Sequence, residues 1–269
     1  DRGRGGAAGG RCEVTSWILN HGDCLDPVSG LASLADRSVD VTITDPPYEA
    51  EAHTKQRRQK ACGVGDSVDV VESPLNFDAI TEEQRDKSAE HIVRATRHRA
   101  IVFCQVEAIA AWRASFAACA TKRDALEYRR TLVWVKPDAM PSLHGRYPGQ
   151  AFEAMILLQR PSAPACPVGG KSRIYEFMRA QDGRLPNPHP TTKPLPLMRQ
   201  IVEDFTDPGD LVIDPFAGSG TTGLAARILG RRFVGWERDA NYHAIATRRL
   251  SGDEAKPREE QPSLFGSIG

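Results

Sequence analysis

Apolar residues recur along the chain with two different periods, and these periods predict its elements. Alternation predicts a strand at Val39–Thr44, and short apolar runs bounded by Gly, Pro and Asp predict strands at WILNHGD (Trp17–Asp23) and within RAIVFCQ, TLVWVK, FEAMILLQ, DLVIDPF and RRFVGWE. Helical spacing predicts helices from Thr81 to about His98, then over Glu107–Thr121, Leu195–Phe205, Thr221–Leu229 and Ala240–Leu250. Thr81 followed by Glu82 and Glu83 is a start signal, because a hydroxyl caps free amides and acids suit the positive helix end. Residues 25–35 read as a loop with a short helix. Strands alternating with helices predict an α/β fold: a mostly parallel sheet with helices on both faces. Two stretches lack either period. Residues 49–76 contain HTKQRRQK and read as a mobile basic loop, and residues 161–190 hold six prolines and several basic residues.

Composition narrows the partners. The chain has 269 residues, 40% hydrophobic and 26% charged, enough for one full core. Formal net charge is zero, so any polyanion must be met by local clusters rather than by a global basic field. The six cysteines form no CxxC pair, which predicts reduced thiols in a cytoplasmic protein and no metal site. No run is long enough to span a membrane, and DRGRGGAAGGR lacks the apolar core of a signal peptide. The expected organisation is a flexible arm over 1–16, a single domain over 17–250, and a flexible tail over 251–269.

Two motifs carry candidate chemistry. The strand ending at Thr44 leaves through Asp45, Pro46, Pro47 and Tyr48. Neither proline donates to a ladder, so this exit implies a rigid backbone holding a carboxylate and a ring. Near the other end, DLVIDPFAGSGTT gives a strand, Asp214, a glycine turn and a helix start. Such a turn lets a ligand approach backbone amides. Seventeen residues after Gly220 the next strand ends in Glu237, placed as a ribose-binding acid would be. GSGTT lacks the lysine of a P-loop, and the NAD-type GxGxxG is absent. S-adenosylmethionine needs a ribose acid and a close backbone without a phosphate cradle. Taken alone, the glycine turn fits either a ligand or a plain strand-to-helix connection.

Together, DPPY early and DPFAGSGTT late resemble the β-class amino-methyltransferases of DNA. HPTTKPLPLM (His189–Met198), GWERDANYHAIATRRL and HGDCL add to the resemblance, which covers about Trp17 to Leu250. It implies a Rossmann-like methyltransferase fold with a circularly permuted motif order. It also implies methyl transfer from S-adenosylmethionine to the exocyclic amine of a base flipped out of double-stranded DNA. Asp45 and the Pro46 carbonyl, fixed by Pro47, would accept the two amine N–H groups, and Tyr48 would stack on the base. At the cofactor, Glu237 would bind the ribose, and Asp214, Phe216, Gly218, Gly220 and Thr221 would line the methionine end. Thr191, Thr192 and Lys193 would hold its carboxylate, with Asp23 and the Cys24 amide at the adenine.

DNA contacts are expected from Lys55, Arg57, Arg58 and Lys60 in the basic loop. Target recognition is expected within residues 137–149 and 161–188, through His144, Arg146, Lys171 and Arg173, with Arg179 and Arg184 as further readers. In the resembling family DPPY goes more with N6 of adenine. The alternatives are N4 of cytosine, a catalytically silent DNA-binding partner, and an NAD-dependent oxidoreductase, which the missing GxGxxG disfavours. Within the tail, QPSLF (Gln261–Phe265) resembles peptides that dock on a replicative sliding clamp. A monomer or homodimer is expected, in a restriction-modification setting.

Overall fold

Val39–Thr44 forms strand β2, buried at all six positions, as a strand covered on both faces must be. Its polar residues are therefore paired: the Thr42 and Thr96 hydroxyls share a hydrogen bond at 2.6 Å, and Asp40 accepts from the Leu211 N–H at 2.8 Å. The computed structural model describes residues 17–48, 79–120, 124–139, 141, 146, 148–179 and 192–252. The other strands are β1 (Trp17–His21), β3 (Thr96–Cys104), β4 (Glu127–Val135), β5 (Phe152–Gln159), β6 (Tyr175–Glu176), β7 (Leu211–Asp214) and β8 (Arg232–Glu237). The helices are α1 (Glu82–Ala95), α2 (Ile109–Cys119), α3 (Leu195–Phe205), α4 (Thr221–Ile228) and α5 (Ala240–Ser251).

All eight strands form one sheet in the order β1-β8-β7-β2-β3-β5-β4-β6. Pairing is parallel from β1 through β3 and again between β4 and β6, while β5 runs antiparallel to both β3 and β4. The mostly parallel α/β fold expected from the sequence is present. The antiparallel strand has a consequence for the site, because Ala154 pairs with Cys104 and the start of β5 therefore lies where β3 ends.

Successive β3 side chains point to opposite faces. Ile101 and Phe103 pack with Leu197, Ile201 and Phe205 of α3, whereas Ala100 and Val102 pack with Ile92 of α1 and with Trp112 and Phe116 of α2. Each fully buried side chain of this size contributes about 1.5–3 kcal/mol. Helix α1 starts in a capping box: Thr81 accepts from the Gln84 N–H at 3.2 Å, and Gln84 accepts from the Thr81 N–H at 3.0 Å. It stops at Ala95, short of the expected His98, because Thr96 already belongs to the sheet.

Within the proline-rich stretch the structure adds β6, which sequence periodicity missed. Residues 161–164 lie at the sheet end opposite Asp45, where the Ser162 hydroxyl donates to Asp124 at 2.6 Å and Arg99 at the start of β3 donates to the Pro164 carbonyl. The chain then returns, and Tyr175 pairs with Trp134 near the end of β4. Asp204 of α3 holds this return, accepting from Arg173 at 2.8 Å, from the Tyr175 hydroxyl at 2.9 Å and from Gln200 at 3.0 Å.

Candidate active site at the carboxyl ends of the strands

The sheet changes winding direction between β7 and β2. From β7 the chain passes through α4 to β8 on one side, and from β2 through α1 to β3 on the other. Open α/β sheets bind ligands in the crevice that such a reversal opens. Both sequence motifs meet there, joined by a hydrogen bond from the Thr44 hydroxyl to Asp214 Oδ1 at 2.7 Å. Asp214 also accepts from the Thr222 hydroxyl at 2.6 Å and from the Phe216 N–H at 3.1 Å. Burial pushes its pKa up to about 6 against the pull of these donors. Asp214 thus braces the two motifs, and half-buried Phe216 packs beside it.

On one side of the crevice, His21 pairs with Glu237 and the Gly22 N–H donates to the Glu237 carbonyl at 3.0 Å. This brings Asp23 and Cys24 beside Glu237. The Asp23 carboxylate is exposed and accepts from the Leu25 N–H at 2.8 Å. The Cys24 thiol is buried, and desolvation pushes its pKa far up, so it is no nucleophile. Glu237 Oε2 accepts from the Gly218 N–H at 2.8 Å, and Oε1 accepts from the Asp239 N–H at 2.7 Å. Each oxygen keeps a second lone pair for an outside hydroxyl.

The glycine turn shows why its residues are small. Gly218 has φ +53, and a Cβ there would meet nothing within 4 Å, so the turn borders open space. Gly220 has φ +77, and a Cβ would stand 2.8 Å from that of Ala246, so only glycine lets α4 start against α5. Arg249 of α5 secures the turn, donating to the Ser219 carbonyl at 2.7 Å and to the Thr221 hydroxyl at 3.0 Å. The Thr192 and Ser219 hydroxyls share a hydrogen bond at 3.3 Å, which ties the TTK motif to the turn.

Lys193, expected at the cofactor carboxylate, has its Nζ 2.5 Å from Asp45 Oδ2 and 3.2 Å from Glu153 Oε2. Lys136 at the end of β4 donates to the other Glu153 oxygen. Sequence reading missed Glu153 and Lys136. The available signal was an acid near the start of an otherwise apolar strand, FEAMILLQ, opposite a lysine closing TLVWVK. Burial pushes the Asp45 carboxyl up, with Lys193 pulling against it. Burial acts the same way on Glu153, but Lys193 and Lys136 together hold it down at about 2. Asp45 Oδ1 is buried with no hydrogen-bond partner among the described residues. Pro46 is buried and Tyr48 half-buried, its ring 5.7 Å from Lys193 Nζ. The arrangement leaves one carboxylate oxygen of Asp45 unpartnered among the described residues at the end of β2, two strands from Glu237, whose oxygens keep lone pairs.

The expected DNA readers divide. Arg146 and Lys171 are exposed. Arg173 is engaged by Asp204, and Arg179 by Asp138, whose carboxylate accepts its N–H at 3.0 Å. Lys55, Arg57, Arg58, Lys60, His144, Arg184, Thr191 and the QPSLF tail lie outside the described residues. Among the described residues no helix is long and apolar enough to cross a membrane.

Comparison with known proteins agrees with this geometry. The chain is 24% identical to the type II methyltransferase M.HinfI of Haemophilus influenzae, over 91% of this chain and 70% of that one. It is 26% identical to the type II methyltransferase M2.MboI of Moraxella bovis, over 87% of each. Among solved structures, the complex of M1.HpyAVI with S-adenosylmethionine matches with TM-score 0.63 and 25% identity, over 87% of this chain and 98% of that one. The cytosine-N4-specific PvuII DNA methyltransferase shares the fold, with TM-score 0.61 at 17% identity over 88% of each chain. Residues 39–248 match the DNA methylase family of N6 and N4 methyltransferases. With both motifs at one switch point and most of its length matched, the chain belongs to that family of β-class amino-methyltransferases.

Proposed function

We propose that the protein methylates N6 of adenine, flipped out of double-stranded DNA, with S-adenosylmethionine as donor. The observation that carries this reading is Asp45 Oδ1, a buried acceptor without a partner among the described residues, beside the crevice. An exocyclic amine is a weak nucleophile because its lone pair is delocalised into the ring. An acceptor on its N–H turns that lone pair toward an electrophile and stabilises the charge that develops on nitrogen. Asp45 Oδ1 is the group for that task. The Pro46 carbonyl serves the second N–H in this reading, and Tyr48 flanks the base.

The crevice fits the cofactor on its own observations. Glu237 keeps lone pairs for ribose hydroxyls, and the Gly218 backbone borders open space. Bound there, S-adenosylmethionine supplies a methyl group on a positively charged sulfur. Asp45 Oδ1 would hold the amine N–H so that the nitrogen lone pair points at that methyl group, and would guide the proton released after transfer toward solvent. Asp23 and the Cys24 amide would meet the adenine end, and Arg146 and Lys171 would face the duplex. DPPY supports adenine over cytosine through the family pattern.

Mass spectrometry of nucleosides from DNA treated with the enzyme and labelled cofactor tests the base. N6-methyladenine is expected, and N4-methylcytosine instead would replace the adenine reading by the cytosine one. At the cofactor, Glu237→Ala is expected to weaken S-adenosylmethionine binding by ~1.5–3 kcal/mol, the range for hydrogen bonds to a charged group. Titration calorimetry giving wild-type affinity would show that the ribose lies elsewhere.

A further inference from the structure

Four charges from four separate elements line up beside the crevice. They run Asp45 after β2, Lys193 before α3, Glu153 in β5 and Lys136 after β4, alternating in sign. The Lys193 side chain is only 9% exposed, and its Nζ also lies 5.0 Å from the Phe103 ring centre. Ordering and desolvating so many charges is unfavourable, and holding a strand end in place would not require it. Resting on the methyl-transfer reading above, we propose that Lys193, Glu153 and Lys136 form a charge-balanced support for Asp45, making Lys193 and Glu153 positioning residues rather than cofactor ligands.

The geometry assigns each member a task. Lys193 fixes Oδ2 and so commits Oδ1 to the substrate amine. An ammonium 2.5 Å from Asp45 also opposes the positive charge that develops on the reacting nitrogen. Glu153, 3.2 Å from the same ammonium, offsets that opposition. Lys136 keeps Glu153 ionised, so the array carries two positive and two negative charges. The Tyr48 hydroxyl is directed at Glu153 from the DPPY side, and Asp214 acts on Asp45 from β7.

The support and a merely structural bridge differ in what they do to Asp45. Lys193 pulls the Asp45 pKa down and Glu153 pushes it up. In Lys193→Met the acid limb of the kcat–pH profile is therefore expected to move to higher pH, and in Glu153→Gln to lower pH, with kcat reduced tenfold or more in both. Cofactor affinity by titration calorimetry should stay within about twofold in both. Carbon-13 NMR titration of the Asp45 carboxylate, without cofactor or DNA, should show the same opposite displacements. Should either variant fail to fold, Lys136→Met provides the same readout, with Asp45 displaced upward. A downward or absent displacement in Lys193→Met or Lys136→Met, or an upward or absent one in Glu153→Gln, would overturn the support. A tenfold loss of cofactor affinity in Lys193→Met would return that lysine to the cofactor carboxylate. The NMR titration needs no turnover, so a wild type inactive on DNA would overturn the methylation reading while the support is still judged.

Discussion

Replacing Asp45 by alanine is expected to slow methyl transfer by ~100-fold or more while leaving cofactor affinity within a few-fold of wild type. The asymmetry follows from position. Asp45 follows β2 and faces Lys193, whereas Glu237, the proposed ribose acid, ends β8, with β7 between them. Removing the carboxylate deletes the proposed acceptor for the amine and leaves the Lys193 charge less balanced. Asp45→Asn should be no better than alanine. Its carbonyl must turn to the Lys193 ammonium, because an NH2 group there would oppose three donors. That turn aims the NH2 at the crevice, where a donor meets the donors of the substrate amine. Single-turnover rates with labelled S-adenosylmethionine measure both variants, and near-normal rates in either would contradict the role of Oδ1.

Asp214→Ala is expected to lower stability by roughly 3 kcal/mol or more. The Thr44 and Thr222 hydroxyls are both buried, and each would lose its acceptor at about 1–3 kcal/mol, with a cavity added. The acid itself is a stability liability at neutral pH. Burial raises its pKa from 3.8 to about 6 in the folded state, so the fold favours the protonated form. That stabilisation is fully present below about pH 4 and is lost as pH rises through about 6. Asp214→Asn does not titrate, so its stability relative to wild type should climb between about pH 4 and 7 and then level off. Denaturant midpoints of the two proteins across that range give the difference directly. A flat or falling difference would mean that Asp214 is not held protonated by the fold.

Much of this fold was legible because its signals are local. FEAMILLQ and Leu195–Phe205 occur as their apolar patterns predict, and the glycine turn follows its strand as the motif requires. Strand direction is not a local property. FEAMILLQ is an apolar run in either sense, so only pairing with β3 and β4 reveals β5 as antiparallel. The same limit hid Glu153, which sits at the crevice only because of that direction. Lys193 was read from its neighbours in the chain, while its partner Asp45 lies 148 residues away. Tyr175 stands in a polar, proline-rich stretch, and its buried hydroxyl is held by Asp204, in a helix that no local pattern connects with it.

The hairpin formed by β4 and β5 separates two kinds of change. Lys136 and Glu153 stand at its mouth, where the Lys136 N–H donates to the Ala151 carbonyl at 2.7 Å and Val135 pairs with Phe152. The stretch between them carries Arg146, one of the proposed target readers. Lengthening a connection between two fixed ends costs only about 0.6 kcal/mol per doubling. New segments between residues 137 and 150 are therefore expected to cost little stability, while the backbone pairing at the mouth of the hairpin keeps Lys136 and Glu153 together.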